Sequence, residues 1–254
     1  MNVRIFMRFE DCGVMKNAIV TGATRGIGFA VAKMLLEAGY YVIVTYGHDD
    51  EEAQKAKLAL AEISSHFEIV RVNQANKQDL KKFTDAIRVK GHIDCLVCNA
   101  GMTLRNATLS EIDDDGWEQV MMVNVNSCVY MIRDLYDVIP HESRIVFIAS
   151  LLGVHPHSMS LAYGVTKSAV IALAKNLVKY FEGTDTTVNA IAPGFVETEW
   201  QKTKPKEIRE NIIRKTAVKR FATPDEIADA VRFCLENGFV NGSVIEVSGG
   251  YSFK

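Results

Sequence analysis

From residue 17 onward, short apolar runs alternate with longer stretches in which apolar residues recur every three or four positions. The runs at 18–20, 41–45, 68–72, 93–97, 144–148, 187–191 and 243–247 read as strands. Most are apolar throughout, the pattern of a strand buried on both faces. The stretches 26–38, 51–64, 79–89, 117–138, 162–181 and 224–236 read as helices. Strand followed by helix, repeated along the chain, predicts an α/β fold: a doubly wound parallel sheet of about seven strands with helices on both faces. No Pro/Gly/Ser-rich linker, repeat or low-complexity segment divides it, so a single domain is expected over 15–254. Residues 1–14 stand apart as an extension. Val3, Ile5, Met7 and Phe9 alternate as in a strand, and Arg4 and Arg8 break up any targeting signal.

The segment Thr21-Gly22-Ala23-Thr24-Arg25-Gly26-Ile27-Gly28 follows the first strand and opens the first helix. Glycines there permit a tight turn and close backbone approach to a pyrophosphate, which the free N–H groups of the helix terminus attract. A carboxylate at the end of the second strand would hold a ribose 2′-hydroxyl. That position is Tyr46, followed by Gly47 and His48, and Arg25 in the loop suits a 2′-phosphate. The acids Asp49 to Glu52 come later, where they complement the dipole of the next helix. NADPH is therefore expected over NADH.

Tyr163 and Lys167 lie four residues apart in a helical stretch and so share one face. An ammonium beside a phenol favours the phenolate, so the phenol's pKa is expected to fall and Tyr163 to exchange protons near neutral pH. Ser150 ends the fifth strand. Two hydroxyls placed at a carbonyl oxygen would stabilise the charge that develops there as hydride arrives.

With Asn99-Ala100-Gly101 after the fourth strand, Asn124 between two valines, and Pro193-Gly194-Phe195-Val196-Glu197-Thr198 after the sixth, the chain resembles a short-chain dehydrogenase/reductase across nearly all of 15–254. That resemblance implies a Rossmann-type fold and a set of roles. Tyr163 would protonate the nascent alkoxide and Ser150 orient the carbonyl. Lys167 would lower the pKa of Tyr163 and hold the nicotinamide ribose, and Asn124 would anchor a water in a proton relay. Cofactor contacts are implied at Gly22, Thr24, Arg25, Gly26, Ile27, Gly28, Tyr46, Asn73, Gln74, Asn99, Ala100, Gly101, Pro193, Gly194, Val196 and Thr198. Three positions depart from the pattern. Cys98 replaces the Asn before Asn99, Asn73 replaces an Asp that contacts adenine, and Ser248 replaces the Asp before Gly249-Gly250. The amide oxygen of Asn73 is expected to accept the adenine bond instead.

Within the family the chain looks most like the 3-oxoacyl-acyl-carrier-protein reductases of fatty acid biosynthesis, which implies a ketone or thioester carbonyl as substrate. The wall around the reacting carbonyl is expected to include Met102, Leu152, Val154, His155, His157, Met159 and Trp200, with a helical-hairpin lid over 195–218. A carrier protein is acidic. The two arginines that would dock it fall near His141 and Thr184, and Glu142, Glu182 and Asp185 beside them would repel it. The alternatives are an alcohol or sugar dehydrogenase working oxidatively, and a silent dinucleotide-binding regulator. Retention of Asn124, Ser150, Tyr163 and Lys167 together argues against the last.

Composition narrows the remaining choices. Hydrophobic residues make up 48% and charged residues 24%, as in a globular protein with a sizeable core. A net charge of −2 lacks the basic footprint of a nucleic-acid binder, and no apolar run approaches the ~20 residues of a membrane span. Five scattered cysteines fit a reducing, cytoplasmic setting. Cys95 and Cys98 fall in a buried strand, where residues three apart face opposite ways, so neither a redox pair nor a metal site is expected. The three residues His155-Pro156-His157 have no carboxylate cluster with them, and no metal is expected there either. The helices at 117–138 and 162–181 are apolar nearly all round, which implies burial on both sides. One side faces the sheet and the other a second subunit, and family members form homotetramers through these helices.

Overall fold

The computed structural model describes residues 15–104, 109–155 and 161–252. Seven strands form one wholly parallel sheet: β1 (Asn17–Val20), β2 (Tyr41–Tyr46), β3 (Phe67–Arg71), β4 (Cys95–Cys98), β5 (Arg144–Ile148), β6 (Thr187–Pro193) and β7 (Val244–Val247). Their order is β3-β2-β1-β4-β5-β6-β7, which reverses direction between β1 and β4. At such a switch point the loops leave the strand ends in opposite directions and open a crevice.

The helices are α1 (Gly26–Glu37), α2 (Asp50–Ala61), α3 (Lys77–Lys90), α4 (Asp114–Met121), α5 (Ser127–Leu135), α6 (Leu161–Leu177), α7 (Glu199–Lys202), α8 (Lys206–Lys215) and α9 (Pro224–Glu236). Helices α1, α2 and α9 cover one face of the sheet, around Val31, Leu35, Leu60, Ile227 and Val231. Helices α3, α5 and α6 cover the other, around Phe83, Met131, Leu135, Val170 and Phe147. Cys95 belongs to the first core and Cys98 to the second, as the alternation of a strand requires.

The expected helix over 117–138 is not continuous. It begins at Asp114, where the Asp113 carboxylate caps the Gly116 N–H, and widens into a π-helical turn over Met122–Asn126. After Leu135 it tightens into a 3₁₀ turn. The π turn inserts one residue into the helix and re-aims Asn124, which is buried. The expected lid is two helices, α7 and α8, carried between β6 and α9. Residues 1–14, with the strand expected there, lie outside the described residues.

Candidate functional site

A cavity of about 470 Å³ opens at the strand ends that carry Ser150, Asn99 and Pro193. Its floor at one end is the loop into α1. Arg25 precedes that helix with no side-chain cap and no acid follows in the first turn, so the first N–H groups have no carboxylate partner. Gly22 has φ +61°, and a Cβ there would sit 2.9 Å from Ala100 Cα. A Cβ on Gly28 would fall 2.5 Å from Asn99 Nδ2. The backbone thus comes closer than any side chain permits. Asn99 fastens it by donating to the carbonyls of Thr21 and Gly22, both at 2.9 Å. The Thr21 hydroxyl accepts the N–H groups of Asn99 and Ala100 in return. These uncapped N–H groups and this missing-Cβ cradle fit a dinucleotide pyrophosphate.

At the other end stand the hydroxyls and the lysine. Ser150 follows β5 and accepts the Leu152 N–H at 3.2 Å. Its hydroxyl is also hydrogen-bonded to that of Tyr163, a contact that favours the phenolate. The Tyr163 ring is half-buried by surface area, yet it lies deep enough that desolvation pushes its pKa up to about 12, opposed by the bond from Ser150. The expected lowering is thus overturned for the protein's own groups. Lys167 is why it fails: its ammonium donates to the Ile148 carbonyl at 2.7 Å and lies 5.5 Å from the centre of the Tyr163 ring. Lys167 is 4% exposed, and burial lowers its pKa to about 8, with the nearby thiols Cys128 and Cys98 opposing that fall.

The Asn124 side chain is a strut. Its amide donates to the Met102 carbonyl and to Thr166 Oγ1, both at 2.9 Å, and its oxygen accepts the Met102 N–H at 2.8 Å. Thr166 in turn donates to the Tyr163 carbonyl. With both amide hydrogens spent on protein, the side chain has no donor left for the expected water; only its oxygen retains an unused lone pair. Neither Thr166 nor Thr21 stood out in the sequence, although each lies beside a motif residue. Gly101 completes the arrangement, since a Cβ there would touch Asn124 Oδ1 and Lys167 Nζ, each at 3.5 Å.

Over residues 22–252 the chain matches the family described as enoyl-(acyl carrier protein) reductase. It is 33% identical over 250 residues to 3-oxoacyl-(acyl-carrier-protein) reductase FabG of Aquifex aeolicus, with 92% of this chain and 96% of that one covered. It is 30% identical over 247 residues to 3beta-hydroxysteroid dehydrogenase 2 of Eggerthella lenta, covering 93% and 95%. Among solved structures, a short chain dehydrogenase from Burkholderia cenocepacia in complex with NADP superposes with a TM-score of 0.86 at 25% identity, covering 92% and 97%. The chain belongs to the short-chain dehydrogenase/reductase family. It is an NAD(P)-dependent oxidoreductase acting on alcohol and carbonyl groups.

Every family position named for the cofactor lines this one cavity except Gly28, which supports the loop from beneath. At the adenosine end the expected acceptor is partly used. Asn73 Oδ1 already accepts the Ala75 N–H at 3.0 Å, so one of its lone pairs is used in a local turn. Gln74 beside it has a buried amide nitrogen with no partner among the described residues. Asp49 caps α2 as expected, and its second oxygen also lies 3.3 Å from Arg25. At the substrate end Met102 and Trp200 line the cavity, with Trp200 edge-on to Tyr163 at 6.2 Å. Leu152 and His155 do not line it, and His155 lies 3.5 Å from Glu246 instead. His157 and Met159 lie outside the described residues. Gln119, Val123 and Gln201 line it unforeseen.

The acids expected to repel a carrier protein are elsewhere. Glu142 and Thr184 are hydrogen-bonded neighbours just before β5 and β6, at the opposite end of the strands from Ser150. Within one protomer they do not line the cavity.

A buried ammonium leaves a signature in stability. Because the folded pKa of Lys167 lies near 8 and the unfolded value near 10.5, the cost of burying its charge is complete below pH 8 and is relieved as pH rises to 10.5. Denaturant unfolding of Lys167→Met and the parent should show the variant's advantage shrinking across that window. A gap that stays flat with pH would mean that Lys167 titrates like an exposed lysine.

Proposed function

We propose that the chain is an NADPH-dependent carbonyl reductase acting on ketones of the 3-oxoacyl-thioester kind. The observation that carries this reading is the convergence of the Ser150 and Tyr163 hydroxyls beside Lys167, in the same cavity as the uncapped α1 terminus. A reduced nicotinamide nucleotide, when bound, supplies the hydride. Ser150 donates to the carbonyl oxygen and orients it, and Tyr163 delivers the proton as negative charge develops there. Lys167 holds the nicotinamide ribose and supplies positive charge beneath Tyr163. Asn124, through Met102 and Thr166, keeps the loop after β4 in register with α6.

A phenol whose pKa burial raises keeps its proton at neutral pH and so has one to donate. The Eggerthella relative, a hydroxysteroid dehydrogenase by name, favours the oxidative reading as the alternative. For the cofactor, the absence of a carboxylate at Tyr46 and the guanidinium of Arg25 at the lip support a 2′-phosphate, which would compete with Asp49 for Arg25; Arg71 nearby is held by Asp50 and the Gly47 carbonyl. The four cysteines among the described residues are buried free thiols, which suits a reducing, cytoplasmic compartment. The outer faces of α5 and α6 expose Val129, Leu161 and Val165, and beyond their ends Tyr136 and Tyr180, an apolar strip suited to a homotetramer.

Tyr163→Phe should retain its fold and lose about 10²–10⁴-fold in kcat, the usual worth of a positioned general acid. Unchanged NADPH-dependent reduction of diacetyl by that variant would sink the assignment. Arg25→Ala should raise the KM for NADPH about tenfold and barely move that for NADH, as expected when a charge-assisted phosphate contact is lost. Equal changes for both cofactors would remove the case for NADPH. Light scattering at micromolar concentration should give four subunits, and a monomer would refute the assembly.

A further inference from the structure

Two of the buried thiols lie against the site, and carbonyl reduction makes no use of them. Cys98 is the last residue of β4, directly before the Asn99 that fastens the glycine loop. Cys128 stands in the first turn of α5, four residues after Asn124. Both belong to the core that α5 and α6 form with the sheet, at 4% and 6% exposure, and they are hydrogen-bonded to each other. As a thiol, Cys128 also donates to the Asn124 carbonyl at 3.6 Å. Lys167, which lines the cavity, is near enough for both sulphurs to act on its charge. Cys95 faces the other side of the strand, so the partner of Cys98 comes from α5 and not from the neighbouring turn of sequence.

The pair is polarised. The bond from Cys98 lowers the pKa of Cys128, with Ser127 and the Lys167 charge acting the same way against burial. The same bond, together with burial, raises that of Cys98. Cys95 and Cys234 lie in the opposite core, where burial pushes their thiols up to about 12 and about 11. A thiol shifted towards thiolate beside an ammonium, with a second thiol in contact, has the parts of a nucleophilic and a resolving cysteine. Sulphurs in hydrogen-bond contact are still farther apart than the ~2.0 Å of a disulfide, so closing that bond draws the first turn of α5 towards the end of β4. It also removes the S–H that holds the Asn124 carbonyl and the negative charge available to Lys167.

We propose that Cys98 and Cys128 form an oxidation site: a dithiol that a peroxide closes to a disulfide, slowing turnover by displacing Asn124 and Lys167. The Cys128 thiolate attacks one peroxide oxygen, the O–O bond breaks, and a sulfenic acid forms on Cys128. The other oxygen leaves as hydroxide and takes the proton of Cys98. The Cys98 thiolate then attacks the sulfenic sulphur, and the S–S bond forms as the sulfenic oxygen leaves as hydroxide. That hydroxide takes up the proton Cys128 first released to solvent. The two sulphurs together give up two electrons, and the peroxide is reduced to two waters. A dithiol reductant reverses the change.

The test adds hydrogen peroxide to the reduced full-length protein and follows it by peptide mapping without reductant and by NADPH-dependent reduction of diacetyl. A peptide pair joined through Cys98 and Cys128 should appear, two hydrogens lighter than the free thiol peptides. With it kcat should fall about tenfold or more, the scale of a misplacement of ~1 Å in a site, and return with dithiothreitol. Cys98→Ser and Cys128→Ser are each compared with their own reduced form, and peroxide should leave that ratio near one. Cys234→Ser should lose activity on oxidation as the parent does. Calorimetric titration with NADPH should show weaker binding to the cross-linked parent, since Lys167 and Asn99 border the cofactor cavity. Activity that falls with no Cys98–Cys128 peptide, or that falls equally in Cys128→Ser, would overturn the proposal. So would a complete cross-link that leaves both kcat and NADPH binding unchanged. Should no ketone consume NADPH even in the reduced protein, the reductase reading fails instead, and the mapping with the NADPH titration still decides the oxidation site.

Discussion

The ammonium of Lys167 is the constraint around which the site is arranged. A lysine with 4% of its surface exposed has lost most of its hydration, and its one protein acceptor is the Ile148 carbonyl at 2.7 Å. Burying such a charge costs stability unless something offsets it, and its depressed pKa measures that cost. The surroundings are built to hold the group in place nonetheless. Strand β5 ends at Ile148 and presents that carbonyl, while Gly101 leaves the space a methyl group would otherwise fill. The π turn then turns Asn124 inward to lock the neighbouring loop to α6. A group that costs stability where it sits is a functional group in the usual sense: packing alone would have put a methionine there.

The same reasoning explains why Asn124 and Asn99 act as struts rather than as contacts. Each spends both amide hydrogens on main-chain or hydroxyl oxygens of a different segment. Asn99 ties β4 to the glycine loop, and Asn124 ties the loop after β4 to α6. The two loops that frame the cavity are thereby fixed relative to each other through the short stretch from Asn99 to Met102. A rigid frame of this kind lowers the reorganisation needed when charge develops at a bound carbonyl.

Much of this was legible in the sequence because it follows from periodicity and local chemistry. Apolar runs such as 144–148 can only be buried strands, and glycines before a helix report a close approach that structure then shows at Gly22 and Gly28. What was not legible depends on groups far apart in the chain. Spacing on a helix put Lys167 beside Tyr163, but only the end of β5 reveals that the ammonium turns to Ile148 and that burial raises the tyrosine's pKa. Position along the chain put Glu142 near an entrance, whereas the run of β5 separates it from Ser150 by a strand length, roughly 17 Å for five residues. The amide oxygen of Asn73 looked available until the turn at Ala75 used one of its lone pairs.

Charge segregation adds a layer that a net value conceals. A total of −2 describes a nearly neutral protein, yet residues 202–220 hold +6 and the remainder therefore −8. Surface ion pairs are individually weak, and in this hairpin the pairs of Arg209 with Glu197 and Arg220 with Glu226 are the ones that join it to its neighbours. Those two belong to the brace and the capping box that fix the hairpin's ends. Arg214 and Lys215 lie in the last turn of α8, where they complement its dipole, and Lys219 donates to the Arg214 carbonyl there.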